Sequence, residues 1–294
     1  MSEPLNGPYA VVLGVCQDAG HPHPGCKNTC CAAAWQDPSQ GHLIACLGII
    51  DPLSKKRWII DASPDLGAQL HALDALQPRS DGSLPVDGVF VTHAHIGHYT
   101  GLSTLGREGL GAKAVPLYVM PRMEEFVRCN GPWSQLVKQG NVELRELRDG
   151  QPVALSEELT IEPFIVPHRD EYSETVGFRI KGPKLSLIWL PDIDAWAKWD
   201  IALEQLINEA DYAFIDGTFF DRSELSRDID EIPHPLVSET MALLGHLPLS
   251  ERRKVHFIHL NHTNPLLQPH SAQHAATLDA GFCIGTRGQK MPLT

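Results

Sequence analysis

The run Thr92-His93-Ala94-His95-Ile96-Gly97-His98 brings three imidazoles within six residues, directly after the apolar stretch 86–92. Backbone pairing stops at a strand end, so side chains two and three positions apart can turn toward one point there. Neutral imidazole is a good ligand for zinc, iron or manganese, so metal ligation is the chemistry on offer. The bland alternative, three solvated histidines on a turn, is disfavoured by their crowding at a strand end. A second set of soft donors lies upstream, where Cys26, Cys30 and Cys31 share one loop. Three thiolates need one more ligand to close a tetrahedral zinc site, and Cys16, His21 and His23 are all near enough in sequence to supply it. Three reduced thiols with no metal remain open as well.

These groups need strands and helices to aim them. Strands are expected at 9–15, 43–51, 57–61, 86–92, 116–120, 159–166, 175–180, 186–190, 212–215 and 254–259, each apolar and bounded by turn residues. Ser63 reads as a helix N-cap with Pro64 at the first helical position, ahead of Leu66, Leu70 and Leu73 at helical spacing. Further helices are expected after His98 through Leu102 and Leu105, and at 124–129, 194–209, 237–246 and 270–279. Five other candidate residues end strand-like runs: Asp61, His168, Asp192, Asp216 and His259. His42, His71, His256, His270 and His274 read as a solvated face, and Cys46, Cys129 and Cys283 as small core residues.

Strands and helices intermingle along all 294 residues with no linker-like shift, so one α/β domain is expected over 1–294, with a Cys-rich loop inserted at 16–40. The net charge of −12 disfavours a continuous polyphosphate partner, which makes nucleic acid an unexpected ligand. No apolar run reaches the roughly 18 residues of a membrane span, and the opening residues carry no export signal, so a cytoplasmic protein without membrane contact is expected. An odd count of seven cysteines in such a chain argues against a disulfide framework. The sequence leaves pairing into a homodimer open.

The run Thr92 to His98, followed by Gly101-Leu102, resembles the HxHxDH signature of the metallo-β-lactamase superfamily. That resemblance implies an αββα sandwich of two mixed sheets flanked by helices. It also implies Asp61 as a supporting acid, His93, His95 and His168 as ligands of a first ion, Asp192 as a bridge, and His98 and His259 as ligands of a second. Within the superfamily, Asp61-Ala-Ser-Pro-Asp65, Thr175-Val-Gly-Phe-Arg179, Asp216-Gly-Thr-Phe219, Gly245-His-Leu-Pro-Leu-Ser250 and Asn261-His-Thr-Asn-Pro265 are similar to the coenzyme PQQ synthesis protein B family. The cysteine segment departs from that family's spacing. More distantly the chain resembles cyclic-phosphate phosphodiesterases of this fold. That likeness implies Asp216 and His234 as a proton-donating pair, and His262 as the fourth ligand of a structural zinc on Cys26, Cys30 and Cys31.

Gly97 stands where the signature has an acid, so one ligand of the second ion is expected to be missing, and Gly97→Asp is expected to raise ion stoichiometry. The leading functional expectation is a hydrolase with one or two catalytic zinc ions, iron or manganese being alternatives, acting on a small ester, phosphodiester or peptide-derived substrate. Two histidines and a carboxylate also resemble a ferrous site, which admits an oxygenase of PQQ-biosynthesis type. The missing acid admits a third reading, a carrier with a degraded site.

Overall fold

The computed structural model describes residues 5–79, 82–224 and 233–294. Among them, two seven-stranded sheets pack face to face. The first contains β1 (Tyr9–Gly14), β2 (Cys46–Asp51), β3 (Lys56–Ile60), β4 (Gly88–Phe90), β5 (Val115–Val119) and β6 (Val142–Glu146) in that order, with β14 (Lys290–Pro292) outside β1. The strands from β14 to β3 pair antiparallel and those from β3 to β6 parallel. The second sheet repeats the plan. Its β7 (Val153–Ala154), β8 (Thr160–Ile165), β9 (Val176–Lys181) and β10 (Ser186–Leu190) are antiparallel, and β11 (Tyr212–Asp216), β12 (Val255–Ile258) and β13 (Cys283–Ile284) continue from β10 in parallel.

Side-chain alternation explains why the first sheet reads as continuous apolar runs. In β1, Ala10 and Val12 face the second sheet, while Tyr9, Val11 and Leu13 join the helix-covered core on the other side. Trp58 and Ile60 of β3 likewise point inward and Ile59 outward. Leu66, Leu70 and Leu73 of α2 (Leu66–Leu76) cover that outer face. The second sheet is covered by Leu203, Leu206 and Ile207 of α6 (Leu203–Asn208) and by Val237 and Leu244 of α7 (Val237–Leu244). This is the expected αββα sandwich.

Several local expectations need correction. The segment 16–40 contains a helix, α1 (Thr29–Gln36), built on Ala32, Ala33 and Ala34, which favour helix. α2 starts at Leu66 rather than Pro64; the Ser63 hydroxyl accepts the Asp65 N–H and donates to Gln69, so it fixes the approach to the helix. The stretch 194–209 is not one helix. The indole N–H groups of Trp196 and Trp199 donate in different directions, to Thr240 and to the Ile165 carbonyl, and a single 3-10 turn at Trp196–Lys198 is separated from α6 by extended backbone at Trp199 and Ala202. His270 precedes the Ser271 cap of α9 (Ala272–Asp279), so it does not share a helix face with His274. α3 (Ile96–Tyr99), α4 (Pro121–Cys129), α5 (Trp133–Lys138) and α8 (Leu249–Arg252) complete the α-helices of the described residues. Cys129, at the end of α4, is exposed rather than part of the core.

Phe178 of β9 is fully buried, with its ring 5.7 Å from that of Phe90 in β4, so it ties the two sheets together. Phe178→Ala should lower unfolding free energy by about 3–5 kcal/mol. A urea melt reads this as a shifted midpoint; a loss below about 1 kcal/mol would mean that this contact does not join the sheets.

Candidate metal centre

The expected site residues leave the carboxyl ends of strands on both sheets. Asp61 follows β3, His93, His95 and His98 follow β4, His168 follows β8, Asp192 follows β10, Asp216 ends β11 and His259 follows β12. Two of these exits need unusual backbone. Asp61 and His259 have φ of 70° and 63°, which costs about 1–3 kcal/mol per residue and aims each side chain across the strand end.

Two ligand groups form around Asp192. In the first, His93 Nε2 lies 2.8 Å from His95 Nδ1, which lies 3.3 Å from His168 Nε2. In the second, Asp192 Oδ2 lies 3.0 Å from His98 Nε2 and 3.3 Å from His259 Nε2. Asp192 also reaches the first group, with Oδ2 3.5 Å from His93 Nε2 and Oδ1 3.7 Å from His168 Nε2. Donors at about 2.1 Å around a tetrahedral zinc stand about 3.4 Å apart, so this spacing suits a cation.

The opposite nitrogen of each imidazole is tied to an oxygen. His98 Nδ1 donates to Asp61 at 2.8 Å, His168 Nδ1 to Asp194 at 3.1 Å and His95 Nε2 to Glu171 at 3.0 Å. His93 Nδ1 donates to the Thr92 hydroxyl at 3.0 Å and His259 Nδ1 to the Thr218 hydroxyl at 3.0 Å. Both hydroxyls in turn donate to acids, Thr92 to Asp61 and Thr218 to Asp216. Such bonds fix the tautomer and leave the inward nitrogen as a lone pair, as metal-ligating histidines require. The Nε2 atoms of His98 and His259 are buried and have no hydrogen-bond partner, so the donor set fits one or two divalent ions.

Charge follows the same geometry. Burial holds His93 well below its ordinary pKa and His168 down to about 4, which keeps both in the neutral form that ligates. Burial also opposes charge on His98, but Asp61, Asp18 and Asp192 outweigh it and hold its pKa well above the usual value. A pocket that stabilises positive charge on a fully buried imidazole suits a cation. At the rim, His234 Nδ1 donates to Asp216 at 2.7 Å and lies 3.5 Å from Asp192. Burial opposes charge there too, and Asp216 overcomes it, taking His234 up to about 9.

The cysteine group gathers separately. Cys26 and Cys30 Sγ are 3.7 Å apart and Cys30 and Cys31 Sγ 3.9 Å, close to the roughly 3.8 Å between thiolates on one zinc. Cys30 and Cys31 sit in the first turn of α1, which lets adjacent residues converge. His262 is the histidine within reach of all three. Of the other sequence candidates, Cys16 is buried in the inter-sheet core, His21 bonds the Cys30 carbonyl and the His23 ring lies tilted against that of His262 at 4.2 Å.

One carboxylate facing the second group directly is not anticipated by the sequence. Asp18, in the loop after β1, places Oδ1 3.3 Å from His98 Nε2 and 3.9 Å from His259 Nε2. The gap expected at Gly97 is therefore filled: a Cβ on Gly97 would meet Asp18 Oδ1 at 2.3 Å and its Cα at 2.6 Å. The expectation that Gly97→Asp adds a ligand fails on sterics. Asp18 has no spacing relation to the histidine run; its signal is only an acid just beyond a buried strand.

Residues 56–260 match the β-lactamase superfamily domain. The chain is 26% identical to coenzyme PQQ synthesis protein B of Xanthomonas axonopodis pv. citri (strain 306), over 96% of this chain and 99% of that one. It is 26% identical to the protein of the same name from Methylorubrum extorquens (strain PA1), over 97% and 100%. Among solved structures, Zn2+-bound PqqB from Methylobacterium extorquens has a TM-score of 0.82 at 22% identity, covering 97% of this chain and 100% of that one. A diphosphatase of the PhnP family has a TM-score of 0.66 at 20% identity, covering 97% and 96%.

Asp61→Ala should leave His98 without its orienting acceptor and weaken ion binding at the histidine centre about 10–100-fold. Competition with a chromophoric chelator measures this; unchanged affinity in the folded variant would remove Asp61 from the supporting role.

Proposed function

Because the chain belongs to the β-lactamase superfamily domain family, we propose that it is a metal-dependent hydrolase of a small ester, phosphodiester or peptide-derived substrate. The observation that carries this reading is the set of five inward-facing imidazoles, each tied through its other nitrogen to an oxygen, around one buried carboxylate. An ion held by His93, His95, His168 and Asp192, with a second on His98, His259 and Asp192, would supply a nucleophilic water at neutral pH and polarise the scissile bond. Zinc suits the nitrogen-rich first group.

The chain's own residues do the rest. His234 is placed to give a proton to the leaving oxygen, with Asp216 fixing its Nδ1 and Thr218 fixing Asp216. A cleft of about 660 Å³ opens beside the centre, with Asp18, His42 and Ile96 in its wall, and has room for a small substrate. Trp35 and Ile96 line it while staying largely exposed, giving an apolar surface next to the polar centre. Arg287 in the same wall is a cation for an anionic group. Among the described residues no helix is long and apolar enough to cross a membrane.

Similarity to coenzyme PQQ synthesis protein B supports a second reading, an oxygenase of that pathway's type. Its local basis, two histidines and one carboxylate around an open iron position, is altered by Asp18, which brings a second carboxylate to the same group. The carrier reading rested on a missing acid, and Asp18 occupies that space.

The two enzymatic readings separate in one experiment. Protein purified without oxygen, analysed for metals and offered phosphodiesters, lactones and esters, should hydrolyse at least one class with zinc bound. A strong chelator should abolish turnover and added Zn2+ should restore it. Oxygen uptake that needs ferrous iron, with no hydrolysis, would replace this proposal with the oxygenase. His234→Gln should lower kcat about 10²–10⁴-fold for a substrate with a poor leaving group, and much less for a nitrophenolate that needs no proton. Equal losses on both substrates would place His234 outside proton donation.

A further inference from the structure

Position 97 has no room for a side chain, and what fills the room belongs to a distant segment. Asp18 Oδ1 is buried and makes no hydrogen bond, as are His98 Nε2 and His259 Nε2 facing it. Three orphaned polar atoms aimed at one volume are a costly arrangement for a folded protein unless a cation satisfies them. Asp192 Oδ2 lies against the same two nitrogens, so the volume is bounded by two imidazoles and two carboxylates.

Asp18 is held there from both sides. Just before it, the Gln17 N–H donates to the Leu260 carbonyl and the Leu260 N–H donates to the Val15 carbonyl, which stitches this strand exit to the one that carries His259. Just after it, the chain turns at Gly20, with φ of 71°, and runs to Cys26, Cys30 and Cys31, which meet His262. The loop is therefore tied to the short segment 259–262 by backbone, and an ion on the cysteines and His262 would tie it a second time, with Asp18 between the two points.

We propose that Asp18 is the carboxylate ligand of the second ion, delivered from the N-terminal loop in place of a residue at 97, so that second-ion affinity depends on the thiolate centre that anchors that loop. The signature carries its acid on the same turn as the histidines. Here the acid arrives with a separate segment, and the second position is complete only when that segment is docked. Linkage makes the dependence mutual: an ion at the second position favours the docked loop, and a metal on the thiolates favours the second ion.

The inference rests on the histidine cluster being a metal centre, and the experiment separates the two claims. Full-length protein, stripped and reloaded with Zn2+ alone, is titrated against chelators of graded strength, with zinc counted by mass spectrometry and located by anomalous scattering. The wild type should hold two ions at the histidines and one at the thiolates. Asp18→Asn should weaken the second ion at least tenfold and leave the other two in place. Gly97→Ala removes no donor atom, yet should produce the same selective loss by displacing Asp18. Cys26→Ser should empty the thiolate centre and weaken the second ion several-fold without affecting the first. No ion at the histidines of the wild type would overturn both the metal centre and this assignment. A single ion there, or two that Asp18→Asn leaves at unchanged affinity, would overturn the assignment alone. An empty thiolate centre with an unaltered second ion would overturn the coupling. If Gly97→Ala does not fold, the Asp18→Asn comparison decides.

Discussion

A carboxylate completely enclosed between two sheets has to meet positive charge, and Asp192 meets that requirement from every side. Imidazole nitrogens of His98, His259 and His93 surround one of its oxygens, and those of His168 and His234 approach the other. Burial pushes its pKa up, but His259, His168, His98 and His93 reverse that and hold it well below the usual range. The other donors of the two groups come from three strand ends, those of β4, β8 and β12, and from the loop after β1. Asp192 is the group that reaches into both donor sets, to His93 and His168 on one side and His98 and His259 on the other, so the two are referred to this residue.

The two halves of the sandwich solve the positioning problem in the same way. Each provides an acid at a strand end, a threonine whose hydroxyl donates to that acid, and two histidines that the threonine and the acid orient. In the first sheet these are Asp61, Thr92, His93 and His98. In the second they are Asp216, Thr218, His259 and His234. The threonine matters because one hydroxyl accepts from an imidazole while donating to a carboxylate, which fixes the imidazole's tautomer without placing another charge in a dry site. A positive φ falls on the acid Asp61 in the first half and on the histidine His259 in the second, so backbone strain accompanies the turn that each half makes into the centre, at a different member of the set in each.

Most of this centre was legible because the strands that deliver it are buried on both faces. Continuous apolar runs such as Trp58-Ile59-Ile60 and Leu187-Ile188-Trp189-Leu190 stop abruptly at Asp61 and just before Asp192, and the end of such a run is visible without coordinates. What stayed hidden has weak periodicity or none. β7, β13 and β14 have two or three residues each, too few for alternation to register. Thr92 gave no sign, since a hydroxyl beside a histidine run is common and its acid lies more than thirty positions away, and Thr218, two residues from Asp216, gave none because the histidine it orients is some forty positions further on. Glu171 and Asp194 likewise carry no mark in the sequence of the roles that His95 and His168 give them.

Asp18 stayed hidden for a different reason. A ligand on the histidine turn would come with that turn, whereas Asp18 must be brought across the chain to meet His98. Loop closure grows only slowly with length, about 0.6 kcal/mol per doubling, so distance in sequence is a small obstacle to such a relocation. The larger cost is ordering a loop with little regular pairing, and that cost falls where tethers already hold the segment for other reasons. The backbone bonds to Leu260 are such a tether, and an ion on the cysteines and His262 would add another, both independent of the residue at 18. With the backbone already passing within contact distance of position 97, a glycine there and an acid on the loop form one joint solution. Either alone would fail, the glycine by leaving the second group short of a donor and the acid by colliding with any side chain at 97.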